Sequence, residues 1–470
     1  MPTECIQEAF RFHSQSGRDL VARFDGGTIT SDGGGILLGE VERRTGILRQ
    51  FAGCFTDHRD PEAIEHTVYD LVAQRVYGLA LGYEDLNDHD ELRSDPLLAA
   101  LVGKTDPTGS QRLRARDAGK ALAGKSTLNR LELTTAGAGP GSRYKKIVLN
   151  NKAVDRVLVE VFLQAQTQPR QVILDLDATD DPLHGKQEGR FFHGHYGCYC
   201  YLPLYIFCGE HLLCARLRPS DIDGSAGALE EVQRIVEQIR EHWPTVRIIL
   251  RADSGFAREA IMAWCEQHAV DYVFGLAKNA RLIRALGKEL HQARLECAQT
   301  GQPARVFRDF TYKTRKSWSC TRRVVGKAEH LPDKTNPRFV VTSLPVEEWD
   351  ARALYEDLYC ARGDMENRIK EQQLHLFADR TSAATMRANQ IRLYFSSVAY
   401  LMLQALRRLG LEGTTLARAQ CNTIRLKLLK IGAQVRVTVR KVWVSLASGS
   451  PYAGLFAQVY ANLHAAPLRC

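Results

Sequence analysis

The chain has 470 residues, 44% of them hydrophobic and 25% charged, with a formal net charge of +9. At roughly 150 residues per domain this is room for about three domains with a large core. No run reaches the roughly 18 apolar residues of a membrane span, and the opening M-P-T-E-C-I-Q-E has neither the basic nor the apolar region of a leader.

The expectation is a cytoplasmic chain whose twelve cysteines, scattered from Cys5 to Cys470, stay reduced. Its charge is uneven. Residues 401–470 carry ten Lys and Arg against Glu412 alone, and residues 304–338 carry ten against three acids, so the remainder is net acidic. Two basic segments point to a polyanion touched at more than one place; a solvated basic face explains either segment alone.

Residues 1–133 read as a mostly helical region. F-D-G-G-T-I-T-S-D-G-G-G-I-L-L suggests a small hairpin before a helix starting near Ile36, and no Gly-Lys-Ser/Thr follows to make it a phosphate cradle. Helical periodicity runs from Ile64 to Leu81. The acidic stretch 85–96 fits helix caps better than a metal loop. Arg112, Arg114 and Arg116 open a basic stretch reaching residue 130, suited to DNA phosphates, and T-T-A-G-A-G-P-G-S-R (134–143) is the most linker-like segment.

Val172 to Thr179, V-I-L-D-L-D-A-T, reads as a buried strand. Alternation puts Ile173, Asp175 and Asp177 on one face. A carboxylate at that sheet edge needs a cation or a metal, or else caps the next turn. A hairpin follows (Tyr201–Cys208, His211–Leu217), then a helix with its stripe at 232–243. A second buried strand, V-R-I-I-L-R-A-D-S-G, ends at Asp253, and a helix and the strand 271–277 complete the set. The order β-β-β-α-β-α-β predicts an α/β, ribonuclease-H-like mixed sheet with its first and fourth strands adjacent and parallel, so that Asp177 and Asp253 meet.

Residues 281–345 read as a β-rich insertion carrying Trp318, which either stacks on an unpaired base or fills a core. Helix resumes after Glu347, and Tyr359, Arg362, Glu366 and Lys370 share one stripe. Alone that is a surface salt-bridge ladder; after two aspartates it supplies a third carboxylate. Three carboxylates beside basic surfaces suit Mg²⁺-dependent phosphodiester chemistry, with Asp177, Asp253 and Glu366 as ligands and Asp175 as a rival for the first. His193, His195, Cys198 and Cys200 are zinc-type donors, but their spacing is tighter than usual zinc motifs and a loop is the simpler reading. The 406–470 region is basic, and the Val435, Val437, Val439 alternation with Arg436 and Arg440 opposite suggests a strand with one basic face, for DNA or for solvent.

L-D-L-D-A-T-D-D-P-L-H-G-K-Q-E-G-R-F-F-H-G, R-A-D-S-G-F and Y-x-x-R-x-x-x-E ending in Glu366 together resemble a DDE transposase of bacterial insertion sequences, most closely insertion sequence family 1380, a group with a β-strand insertion between the second Asp and the Glu. The resemblance implies a catalytic core at 144–280 and 346–405, with Asp177, Asp253 and Glu366 as catalytic metal ligands for Mg²⁺ (Mn²⁺ substituting). It implies Tyr359 and Arg362 as the motif's Tyr and Arg. It also implies cutting at inverted-repeat ends of double-stranded DNA and joining of the 3′-OH to target DNA, by a homodimer on two ends. Related groups carry a lysine seven residues after the Glu; here Gln373 stands there and Lys370 is the nearest base.

Overall fold

The computed structural model describes residues 9–13, 18 and 20–467. The chain forms two compact units: Gln50–His58 with Glu132–Gln404, and Met1–Arg49 with Arg59–Leu131 and Ala405–Cys470.

The first of these is built on a nine-stranded mixed sheet. Its strands in chain order are β1 (Gln171–Ala178), β2 (Leu204–Cys208), β3 (His211–Arg216), β4 (Arg247–Ala252), β5 (Asp271–Leu276), β6 (Ala304–Tyr312), β7 (Arg322–Leu331), β8 (Lys334–Thr335) and β9 (Arg338–Thr342). The spatial order is β3-β2-β1-β4-β5-β9-β7-β6, with β8 on β7. β1, β2 and β3 are an antiparallel meander turned by Gly209 at φ +57. β1, β4 and β5 are parallel, joined by crossovers that carry the helices Ala228–His242 and Glu259–Gln267. The strands of the 281–345 segment extend this sheet from its β5 edge.

The two faces of β1 do different work. Val172, Leu174 and Leu176 join the core beneath the helices Asn151–Ala165 and Ala228–His242, with Val159, Phe162, Val232, Ile235 and Ile239. Ile173 faces the other way, into a smaller core of Ile249, Val273, Val325, Val340, Leu354, Tyr355 and Leu358. The period of two therefore aims Asp175 and Asp177 at the side on which the chain from Leu354 to Lys370 packs.

The other unit is mainly helical. Thr67 and Asp70 form a capping box at the head of Val68–Leu81, and Asp95 caps Pro96–Val102 through the Leu97 and Leu98 amides. Of the carboxylates in 85–96, Asp85 and Asp95 serve as caps and Asp90 pairs with Lys125 at 3.3 Å. Ile29–Thr30 pairs with Ala433–Val437, from the far end of the chain, in place of the local hairpin expected there. The glycine run allows the approach: a Cβ on Gly33 would lie 2.7 Å from the Ala433 Cβ, and one on Gly34 would lie 1.9 Å from the Leu428 carbonyl oxygen. Among the described residues no helix is long and apolar enough to cross a membrane, and the ten described cysteines are free thiols.

Candidate active site at the sheet edge

Parallel pairing of β1 with β4 sets Asp175 beside Arg251 and Leu176 beside Ala252. One residue further along, Asp177 and Asp253 come to the same edge, near enough that the Asp253 charge raises the Asp177 carboxyl. The Asp253 carboxylate accepts from the Gly255 amide at 2.9 Å, which fixes the turn after β4.

The third acid arrives on the Gly363–Lys370 helix, which lies between two wider, π-type helical turns, Leu354–Tyr359 and Glu371–His375. Such turns mark places where a helix carries strain or function. Arg362 at the head of this helix reaches both ways: its guanidinium is 2.9 Å from Glu366 and 3.9 Å from Asp177. Tyr359 comes in above β5, where Gly275 leaves room; a Cβ there would lie 2.5 Å from the Tyr359 hydroxyl and 2.9 Å from the Ser254 amide.

Burial pushes the Asp177 carboxyl up to about 7; Arg362 opposes the rise, while Asp253 and Glu366 add to it. Asp177 thus meets like charge from both Asp253 and Glu366, with the Arg362 guanidinium as the counter-ion. Oxygen donors of this kind fit a hard divalent cation. Among the described residues no three acids, histidines or cysteines stand grouped as metal ligands.

Asp175 has another role. It is 4% exposed and holds Arg251 in a two-pronged pair at 2.5 and 2.8 Å. The remaining Arg251 nitrogen donates to the Leu358 carbonyl at 2.6 Å, tying the first π-type turn to the strands that carry the aspartates. Gln373 is occupied too, donating to the Asp180 carbonyl at 3.1 Å. Lys370 is exposed.

The other sequence candidates divide. Trp318 is 6% exposed, edge-on to Tyr312 with Arg322 over its ring, so it belongs to the core and its face is closed to a base. Arg112 is spent on Glu65 at 3.0 Å and on the Lys120 carbonyl at 2.7 Å, whereas Arg114 and Arg116 are exposed. Of the basic residues in 304–338, Arg305, Arg308, Arg322, Arg323 and Lys327 pair with acids. Much of the apparent charge excess there is internal neutralisation. The strand expected through Val439 ends at Val437, where the chain turns, so Arg440 stands in a hairpin tip and Arg436 on the exposed face. His193 and Cys198 are paired across a small hairpin, and they join no metal-type cluster among the described residues.

A family model described as transposase DDE domain group 1 matches residues 12–468. The chain belongs to this family. DDE transposases generally use divalent metal ions. No curated protein matches the chain. Among solved structures, the cryo-electron-microscopy synaptic complex of piggyBac transposase with hairpin DNA is similar at a TM-score of 0.41 and 10% identity, over 85% of this chain and 80% of that one.

Proposed function

We propose that this DDE transposase cuts DNA at the inverted-repeat ends of its own insertion sequence and joins the freed 3′-OH ends to target DNA. The observation that supports the reading is the register of β1 and β4, which pairs Leu176 with Ala252 just before Asp177 and Asp253, together with Arg362, 3.9 Å from Asp177 and 2.9 Å from Glu366. The strand order β3-β2-β1-β4-β5 is the order expected of a ribonuclease-H-like core, and the proposal takes the sheet as such a core.

Asp177, Asp253 and Glu366 would hold Mg²⁺, or Mn²⁺ in its place; when bound, the ions activate the attacking oxygen and stabilise the leaving one. The chain's own groups do the rest. Arg362 neutralises the carboxylates while no substrate is present and is placed to meet a scissile phosphate when it turns from them. Tyr359 borders Asp253, and Lys370, one turn beyond Glu366, offers a cation to the flanking phosphate. Arg114, Arg116, Arg436 and Arg440 are exposed cations for the duplex away from the cut. Two ends joined in one event call for two copies of the chain, and the insertion-sequence resemblance sets the reaction on bacterial nucleoid DNA.

The test is joining. The protein, a linear duplex bearing the terminal repeats and a supercoiled plasmid are incubated with Mg²⁺, and the plasmid is sequenced for covalently joined ends. Joined products support transposition; cut ends with no joining would reduce the protein to a nuclease that only hydrolyses.

A further inference from the structure

No Asp or Glu follows Glu412, yet two basic residues of this acid-free segment are already committed. Arg425 donates to the Ala80 and Leu79 carbonyls, and Lys430 pairs with Asp32 at 2.6 Å. Among the described residues Arg418 and Lys427 are exposed singly, whereas Arg436, Arg440 and Lys441 face solvent together on one projection, the hairpin of Ala433–Val437 and Val442–Leu446.

Its root is fixed and its tip is bare. Ala433 and Val435 are buried, and the root pairs with Ile29–Thr30. At the far end Thr438 closes the turn: its amide and its hydroxyl each donate to the Lys441 carbonyl at 2.8 Å, and its hydroxyl accepts from the Lys441 amide at 3.1 Å. Two residues project beyond that clasp, Val439 and Arg440. Val439 is 104% exposed, as open as a residue can be. Two-residue hairpin turns prefer Asn and Gly, so a β-branched apolar residue here serves neither the turn nor a core. Beside the tip Trp443 is 48% exposed, with the Arg436 guanidinium 5.9 Å and the Lys441 ammonium 5.3 Å from its ring.

We infer that this hairpin is a DNA-groove probe: the Val439–Arg440 tip enters the minor groove of duplex DNA while Arg436 and Lys441, steadied on Trp443, meet the phosphates at its rim. The inference rests on the transposase reading for its partner. Each part has a physical warrant. The negative potential of a narrow minor groove draws arginine, apolar side chains wedge against its base steps, and a β-ribbon is an established shape for such contacts. An acidic protein surface would satisfy the cations but gives no use to a bare valine at the hairpin tip.

The test is fluorescence anisotropy of the full chain on a labelled terminal-repeat duplex in EDTA, with netropsin as a minor-groove competitor. The inference expects Arg436→Ala with Lys441→Ala to lower the salt slope of log affinity by about 2, at about 0.9 per phosphate contact. Val439→Ser with Arg440→Ala should weaken binding about tenfold with melting unchanged, Lys441→Arg should bind as wild type, and netropsin should displace the wild type. Unchanged affinity and slope in both double variants would overturn the inference, as would loss of affinity in a complex that netropsin leaves intact. Cleavage by the same preparation in Mg²⁺ separates the two readings. A protein that cuts its ends while the hairpin variants bind normally loses this inference and the duplex contacts of Arg436 and Arg440, and keeps the proposed reaction. One that binds through the hairpin but never cuts loses only the proposed reaction, and one that does not bind duplex DNA loses both.

Discussion

Arg362 stands between two carboxylates, 2.9 Å from Glu366 and 3.9 Å from Asp177. A guanidinium in that position is a built-in counter-ion to acids that repel one another, and it competes with any cation the acids could take.

Removing it should therefore help metal and hurt chemistry. Arg362→Gln is expected to bind Mn²⁺ severalfold more tightly, by calorimetry without DNA, while its rate of end cleavage falls. Because Glu366 is partly exposed, the gain stays modest. Weaker Mn²⁺ binding would mean that Arg362 organises the acids and does not compete for them.

The Asp175–Arg251 pair makes a sharper stability prediction. Both are almost wholly buried, so Arg251→Met leaves a bare carboxylate and should cost about 3 to 5 kcal/mol in thermal or urea unfolding. Adding Asp175→Leu to it should recover most of that loss. If the double variant is no better than the single one, the ion pair is not what holds the Leu358 turn to the sheet.

Gly275 is the contact between β5 and Tyr359. Gly275→Ala places a methyl 2.5 Å from the Tyr359 hydroxyl, and overpacking of this kind costs roughly 1 to 3 kcal/mol. Combining it with Tyr359→Phe removes the nearest atom and should return part of the loss in melting temperature; no return would place the clash on the Ser254 backbone alone.

How much of this was legible follows residue by residue. The alternation of V-I-L-D-L-D and the parallel β1–β4 pair were readable from pattern and crossover rules, and they led to Asp177 beside Asp253. The same register also sets Asp175 beside Arg251, so the buried pair was implicit in D-L-D and R-A-D and went unread. Trp318 and Arg112 were misleading for a common reason: residue type and local charge do not say which side chains the fold will enclose, and Trp318 is buried against Tyr312 while Arg112 is spent on Glu65, 47 residues away. Ile29–Thr30 lies beside strand 433–437 with no local signal, because pairing over 400 residues is set by the core and not by turn chemistry. The π-type turns around Glu366 left no trace in a periodicity of 3.6.

Glu42 carries a pH dependence in the helical unit. It is 7% exposed, accepts from the Leu48 and Arg49 amides, and burial raises its carboxyl to about 7. Below about pH 4.5 both folded and unfolded chains hold the proton and no penalty exists. Between about 4.5 and 7 the unfolded chain gives up its proton first, so stability falls as pH rises, by about 3 kcal/mol once both states are ionised. Glu42→Gln should therefore be more stable than wild type at pH 8 and level with it near pH 4.5; a pH-independent difference in melting would refute the assignment.

The measurement that bears most directly on the account is cleavage of a labelled duplex carrying the terminal repeat, in Mg²⁺ and in EDTA, by wild type and by Asp177→Asn, Asp253→Asn, Glu366→Gln and the Asp175→Leu, Arg251→Met pair. The account predicts Mg²⁺-dependent nicking at the repeat boundary, lost in the three single variants while they still bind the duplex, and retained at least in part by the double variant. Cleavage that survives the loss of Asp253 or Glu366 would contradict it.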